Sequence, residues 1–397
     1  RLVGSEMCIR DRCSVTAMAE SKSRKLIHRA HALNGNALII ITGCYSQRAG
    51  NELLNLPGVK IVSGNAGKSR LTELAEEYFS TERPIQGVSD IFLQRDFEEM
   101  PLSRHDSRTR GYIKIQDGCE NYCAYCIIPY LRGPSRSRAL KDIISEGRRL
   151  AGLGYKELVL GGIQLSAYGL DLPGSPRLTD VIEALSQIEG ISRIRLGSLE
   201  PLLIEEEFAK HLSEFDALCP QFHLSLQSGS DSVLKRMNRK YDTARYEQAV
   251  SYLRRYLDNP AITTDIITGF PAETQEEFEQ TRAFIHKIGF ASVHVFAYSR
   301  REGTAAAQMN GQVNPEIKKE RSRILIEQAQ RDAANYCQSF ENAVRPVLFE
   351  TFDGNTLKGL TPEHLEVSVI SQRDLTGEIR NVRLKAERGC LTGMLEV

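Results

Sequence analysis

The sequence carries no net charge: 51 Lys and Arg balance 51 Asp and Glu over 397 residues. Nothing global draws it to nucleic acid or acidic lipid, so any RNA-binding surface has to come from local charge. No apolar run reaches the roughly 18 residues of a membrane helix, and no membrane partner is expected. Tandem repeats and low-complexity tracts are missing, and residues 1–12 lack the apolar centre of a signal peptide. Nine cysteines are numerous, yet they are not spread like those of a small disulfide scaffold. A reducing, cytoplasmic setting is the expectation.

The length allows about two or three domains, each able to bury a core. Residues 1–12 do not begin with Met and read as non-native sequence joined to a truncated gene, so they are set apart, Cys8 included. From residue 13 to 80, helical and strand patterns alternate. Ala17–Leu33 is basic and amphipathic, Ala37–Thr42 and Lys60–Ser63 read as strands, and Lys68–Phe79 reads as a helix. That alternation predicts a parallel α/β layer, with Cys13 and Cys44 at strand ends where such sheets place ligands. Residues 81–108 lack periodicity and read as a linker.

Residues 109–340 repeat strand then helix. The predicted strands are Tyr112–Ile115, Glu157–Leu160, Arg193–Leu196, Phe222–Leu226, Thr263–Ile267 and Ser292–Ala297, followed by a charged helix over Glu316–Phe340. Six such units fit an incomplete parallel barrel, with the loops after the strands forming its active face. Residues 341–397 read as short strands, at Val347–Phe352, Leu365–Ser371 and Asn381–Lys385, with Asp353-Gly354 as a hairpin turn. The fold class is therefore α/β: an N-terminal parallel α/β domain, a central partial (β/α)6 barrel and a small C-terminal β-barrel.

Three cysteines stand in Asp117-Gly118-Cys119-Glu120-Asn121-Tyr122-Cys123-Ala124-Tyr125-Cys126, a C-x3-C-x2-C spacing. Three thiolates on one short loop can bind three irons of a cubane and leave the fourth open to a small molecule. Thiolates also suit zinc, but a structural zinc needs a fourth ligand nearby. Neither His nor Cys follows within about twenty residues, and His105 upstream precedes a predicted strand. Ligand counting favours the cluster. Around this loop, between Arg104 and Leu160, eleven Lys and Arg face six Asp and Glu. Arg132, Arg136 and Arg138 are the candidate phosphate contacts, against the plainer reading of a solvated charged face. From Phe340 onward, seven Lys and Arg face nine Asp and Glu, which lends RNA binding no support from charge.

The cysteine spacing with its aromatic Tyr125 resembles the radical S-adenosylmethionine (SAM) enzymes. The wider run through Cys126-Ile127-Ile128-Pro129-Tyr130-Leu131-Arg132-Gly133 to Ser135-Arg136-Ser137-Arg138 is similar to the methylthiotransferases. Gln116-Asp117-Gly118-Cys119 and Tyr125-Cys126-Ile127-Ile128-Pro129-Tyr130 resemble the branch acting on threonylcarbamoyladenosine in tRNA. Rival substrates within the class are isopentenyladenosine tRNA and a ribosomal protein. From another class, a non-catalytic RNA-binding protein with a structural metal is the alternative.

The resemblance implies a [4Fe-4S] cluster on Cys119, Cys123 and Cys126 whose open iron binds SAM. It implies SAM contacts from Tyr125 to adenine, from Gly161 and Gly162 to the amino group, and from Ser225, Gln227 and Ser228 to ribose. Asp265 and Val295 complete the pattern. Glu200, in Ser198-Leu199-Glu200-Pro201, is a candidate for a proton or a ribose hydroxyl, although most strand-end carboxylates are simply solvated. Cys13-Ser14-Val15-Thr16 and Gly43-Cys44-Tyr45-Ser46 match two of three motifs for an auxiliary [4Fe-4S] cluster that presents sulfur. The third motif is missing, so this chain is expected to cleave SAM but to transfer sulfur poorly. Residues 341–397 resemble the family's terminal TRAM barrel. The implied reaction installs a methylthio group at C2 of the adenine, with one SAM giving the methyl group and a second giving a radical. Implied partners are a tRNA anticodon loop, an electron donor and a sulfur source.

Overall fold

The computed structural model describes residues 7–11 as backbone, and residues 17–100, 109–387 and 389–396. The chain divides into two compact units. One holds residues 1–102, 117–136 and 299–308, and the other residues 103–116, 137–298 and 309–397.

In the first unit, β1 (Met7–Asp11), β2 (Leu38–Thr42), β3 (Val59–Ser63) and β4 (Ile85–Gly87) form a parallel sheet in that order. All five residues of β2 are buried, as a strand covered on both faces requires. Side chains alternate along it. Ile39 and Ile41 pack with Ile27 of α1 (Ala17–Leu33) and Tyr45 of α2 (Cys44–Ala49). Leu38 and Ile40 pack with Leu74 of α3 (Leu71–Thr81). Met7–Asp11 lies in the segment set apart on sequence, yet its backbone pairs along β2 from Met7↔Leu38 to Asp11↔Thr42. Likewise Ile85–Gly87 falls in the expected linker, where three residues are too few for a periodic signal. Glu20 ties this unit together, accepting from Arg48 at 2.7 Å and pairing with Arg301.

The second unit holds the barrel. β5 (Arg110–Lys114) leads the chain towards two short strands, β6 (Gln116–Asp117) and β7 (Arg136–Ser137), which bracket the cysteine loop and α4 (Ile128–Arg132) in sequence. Then α5 (Leu140–Gly152), β8 (Glu157–Gly161), α6 (Leu178–Ser186), β9 (Arg193–Leu196), β10 (Ser198–Leu199) and α7 (Glu206–Leu212) follow. The barrel ends with β11 (Gln221–Leu224), α8 (Asp231–Arg236), α9 (Thr243–Tyr256), β12 (Ala261–Thr268), α10 (Gln275–Ile288) and β13 (Ser292–Ala297). There are two parallel sheets, β5-β8-β9 and β10-β11-β12-β13, and an isolated Ile194↔Leu218 bridge ties β9 to the segment that leads into β11. Leu158, Leu160, Ile194, Leu196, Phe222, Leu224 and Ile266 form the helix-side core. Their polar alternates on the same strands occupy the opposite face.

After α11 (Ala305–Gln308), the long α12 (Pro315–Gln338) leads into a closed five-stranded barrel. Its strands are β14 (Val344–Phe352), β15 (Thr356–Leu360), β16 (Glu366–Ile370), β17 (Ile379–Glu387) and β18 (Cys390–Leu395), in the order β14-β15-β16-β18-β17. Sequence patterning located three of the five. β15 and β18 escaped it because each carries a glycine, normally a strand breaker. Here the glycines answer close approach: a Cβ on Gly359 would lie 2.4 Å from the Leu348 carbonyl oxygen, and one on Gly393 2.4 Å from Val382 Cγ1.

This barrel is seated on the N-terminal ends of β8 and β9 by buried charge. Glu157, with no exposed side-chain surface, accepts from Arg195 at 2.8 Å and faces Arg193 at 3.5 Å. Arg193 donates to the carbonyls of Leu360 (3.0 Å) and Pro346, and Arg195 to that of Pro362 (2.9 Å). His364 lies beside them, 3.3 Å from Arg110. Burial first, then Arg195 and Arg110, push its pKa down to about 4 from 6.5. Between those values the unfolded chain takes up a proton that the folded one refuses, so stability falls as the pH drops from 6.5 towards 4. Replacing His364 with Asn should flatten that part of a pH–stability curve; an unaltered slope would contradict the assignment.

Candidate functional site

Backbone geometry dictates the shape of the cysteine loop. Gly118 has φ +77°, and a Cβ there would sit 1.9 Å from the Pro134 carbonyl oxygen, so the loop closes on a residue without a side chain. Cys119 N donates to Gly133 O at 3.1 Å, Cys126 N to Cys123 O at 2.9 Å, and Ala306 N to Ala124 O at 2.8 Å. Asp117 Oδ1 accepts from Gly118 N at 2.9 Å. Cys123 is buried, while Cys119 and Cys126 are partly exposed. Among the described residues, no three His, Cys, Asp or Glu side chains converge on a position for a single metal ion. Gly118→Ala should therefore destroy the loop: left-handed backbone costs a non-glycine residue about 1–2 kcal/mol before the clash is counted. The expected result is loss of iron and sulfide after anaerobic reconstitution, and full retention of both would refute it.

Two of the arginines expected at phosphates, Arg132 and Arg136, brace this loop instead. Arg132 places Nη1 3.3 Å from Asp117 Oδ2 and Nε 3.3 Å from Cys44 Sγ, so it spans two cysteine motifs. Arg136, 3% exposed, donates to the carbonyls of Arg132 (2.8 Å) and Pro134 (2.9 Å). Arg138 is buried as well. A count of charges does not say where a guanidinium points, and here the two buried arginines are not placed for phosphate contact.

Cys44 opens α2 directly after β2 and is buried against Ile127 and Leu131. Its sulfur also faces Asn65 Nδ2 at 3.5 Å, and that amide donates to Leu131 O at 2.8 Å. Asn65 follows β3 by two residues, as Cys44 follows β2, and the signal for it was this shared strand-end position. Cys13 lies outside the described residues. In sequence it follows Asp11 by two, and Asp11 is the pairing partner of Thr42.

Tyr125 stays on the cysteine loop in the first unit, half-buried, and the other predicted residues lie on the second unit. Gly161 ends β8, and Gly162 follows where a Cβ would meet Leu165 at 2.8 Å and Gln116 at 3.1 Å. Ser225 N donates to Leu199 O, while Gln227, in left-handed backbone (φ +70°), exchanges hydrogen bonds with Asp265 O and Ile267 N, both 2.9 Å. Asp265 projects to the lumen with about a third of its side chain exposed. Two residues turn away. Ser228 is fully buried and spends its hydroxyl on Thr281 Oγ1 at 3.2 Å. Val295 packs into the helix-side core, because strand alternation gives the opposite face of β13 to His294 and Phe296.

Glu200 is not a solvated carboxylate. It pairs at 2.5 Å with Arg239, which stacks on the Tyr241 ring at 4.8 Å. The Tyr241 hydroxyl in turn donates to Ser225 O and to Leu226 O, the latter at 3.1 Å. Arg239 and Tyr241 had no motif of their own to mark them. Glu273, beyond the Gly269 turn, is buried with Arg321. Burial raises its carboxyl above the usual range, against the Gly269 N–H and Arg321.

A profile of the radical SAM superfamily matches residues 113–285, and one for the uncharacterized protein family UPF0004 matches residues 3–64. The threonylcarbamoyladenosine tRNA methylthiotransferase MtaB of Bacillus subtilis is 37% identical over 94% of this chain and 84% of its own length. Its namesake in Aquifex aeolicus is 37% identical over 80% and 77%. The chain belongs to the radical SAM methylthiotransferases. A further member, a tRNA-2-methylthio-N(6)-dimethylallyladenosine synthase of Clostridium botulinum, is 33% identical over 98% and 88%. Among solved structures, the radical SAM methyltransferase TsrM of Kitasatospora setae shares the fold, with a TM-score of 0.59 at 14% identity over 89% of this chain and 71% of that one.

Membership makes this methylthiotransferase a radical SAM enzyme that uses a [4Fe-4S] cluster and SAM. The donor set fits: three soft thiolates stand on one loop whose closure depends on Gly118 and Arg136. When bound, the cluster supplies one electron to cleave SAM, and orienting the reactants is left to the protein.

Proposed function

We infer that the chain methylthiolates C2 of N6-threonylcarbamoyladenosine beside the anticodon of tRNA. The observation that carries this is the 37% identity to the Bacillus subtilis enzyme over 94% of the chain, against 33% for the dimethylallyladenosine enzyme. The cluster loop and the Gln116–Cys119 run agree with it. Cys119, Cys123 and Cys126 hold the radical-generating cluster, with Gly161, Gly162, Gln227 and Asp265 facing SAM. Cys13 and Cys44 belong to an auxiliary cluster, and Arg132, reaching both Cys44 and Asp117, keeps that motif beside the radical loop. Residues 109–340 act as the catalytic domain and 341–397 as a TRAM-like RNA-binding barrel. An electron donor and a sulfur source complete the reaction in the cytoplasm. An anticodon loop presents its bases without the cost of opening a duplex.

Nucleosides from the tRNA of a strain lacking this gene test the substrate. The unmodified threonylcarbamoyl nucleoside should accumulate, and complementation should restore its methylthio form. Accumulation of the isopentenyl nucleoside instead would move the chain to the other substrate.

A further inference from the structure

Across the second unit, a one-directional run of polar side chains climbs the lumen from the seat of the C-terminal barrel to Asp265. It begins at Arg195, which holds the Pro362 carbonyl and Glu157 and also directs Nη1 towards Gln221 Oε1 at 3.4 Å. Gln221 Nε2 donates to Thr263 Oγ1 at 3.3 Å, and Thr263 Oγ1 lies 3.1 Å from His223 Nδ1. His223 Nε2 then faces Asp265 Oδ2 at 3.5 Å. The residues come from β9, β11 and β12, at lumen-facing positions. On the far side of Asp265 its strand partner is His294, whose ring lies 6.5 Å from that of His223.

The inventory of donors and acceptors assigns each proton. An arginine can only donate, so Gln221 receives through its oxygen and gives through its nitrogen. Thr263 has one hydroxyl proton. Having accepted from Gln221, it keeps that proton to give, and His223 Nδ1 at 3.1 Å is the acceptor we assign to it. That donation leaves Nε2, the ring nitrogen 3.5 Å from Asp265 Oδ2, to carry the hydrogen that faces the carboxylate. Each link is long and individually weak, yet all run in one direction and none competes with another.

We propose that His223 is a positioning residue for Asp265, presenting a fixed Nε2–H that orients the carboxylate towards the cofactor. The Arg195–Gln221–Thr263 relay sets its tautomer. This rests on the reading above that Asp265 faces SAM. The C-terminal barrel and the cofactor side of the lumen thereby share one run of polar contacts, which begins at Arg195.

The test measures SAM dissociation constants by equilibrium dialysis on anaerobically reconstituted, unreduced protein. His223→Ala should weaken SAM binding about tenfold, the scale of losing one hydrogen bond to a charged group. His223→Gln, whose amide nitrogen reaches the place of Nε2, should restore most of the affinity. His223→Asn, whose nitrogen matches Nδ1 instead, should behave like Ala. In an Asp265→Asn background the His223→Ala change should add less than about twofold, since coupled residues are non-additive. Equal affinities for the Gln and Asn variants, or a full additional loss in the double variant, would overturn the positioning role. Asp265→Asn binding SAM like the unaltered protein would overturn both this proposal and the placement of Asp265 at the cofactor.

Discussion

Cys123→Ala should abolish 5′-deoxyadenosine formation from SAM in reconstituted, dithionite-reduced protein, and should lower its iron and sulfide together. Cys123 is the buried member of the three, on the loop that the Gly118 closure and the Cys119–Gly133 hydrogen bond hold in shape. With two thiolates left, a cubane loses a protein corner and electron delivery to SAM stops. Cys219→Ala is the matched control. That thiol, in the second unit, is buried near Glu157 and Arg195, and burial, ahead of those neighbours, pushes its pKa up to about 12. It stays protonated and is no ligand. Equal loss in both variants would mean that the triad assignment is wrong.

Glu157→Ala carries the largest expected stability effect. Removing this carboxylate leaves Arg193 and Arg195, both under 5% exposed, as buried cations without their shared anion. Breaking such a pair costs about 3–5 kcal/mol, a large part of the 5–15 kcal/mol that holds a typical protein folded. Burial alone would raise the Glu157 carboxyl, but Arg195, then Arg193 and Arg110, more than offset it and hold it below the ordinary 4.5. A depressed carboxylate stabilises at pH values above 4.5, and that contribution is lost as the pH falls through the lower folded value. Urea denaturation should show the variant destabilised at neutral pH, with the gap closing in acid. A difference under about 1 kcal/mol would place these residues among ordinary surface pairs.

The radical loop was legible because it is local: ligand spacing is written in consecutive residues, and no distant partner has to be known. The helix Ala17–Leu33 and the strand–helix alternation were legible for the same reason. What escaped depends on register or on distant partners. Val295 was assigned to the cofactor because it lies in the right segment, but strand parity turns it into the core. Arg136 and Arg138 carry the right charge, yet burial commits them to the fold. His223 and Arg239 stand in no motif that sequence reasoning isolated, and their roles emerge from partners 42 and 39 positions away respectively, Asp265 and Glu200. β15 and β18 were hidden by glycines that only neighbouring strands explain.

The central claim is tested most directly by giving the anaerobically reconstituted protein SAM, reductant and two anticodon stem-loops, one bearing threonylcarbamoyladenosine and the other isopentenyladenosine. Mass spectrometry of the recovered nucleosides should find 5′-deoxyadenosine in excess, with the methylthio group formed in low yield and on the threonylcarbamoyl substrate alone. Methylthiolation of the isopentenyl substrate alone, or bound zinc without sulfide and no cleavage of SAM, would contradict the account.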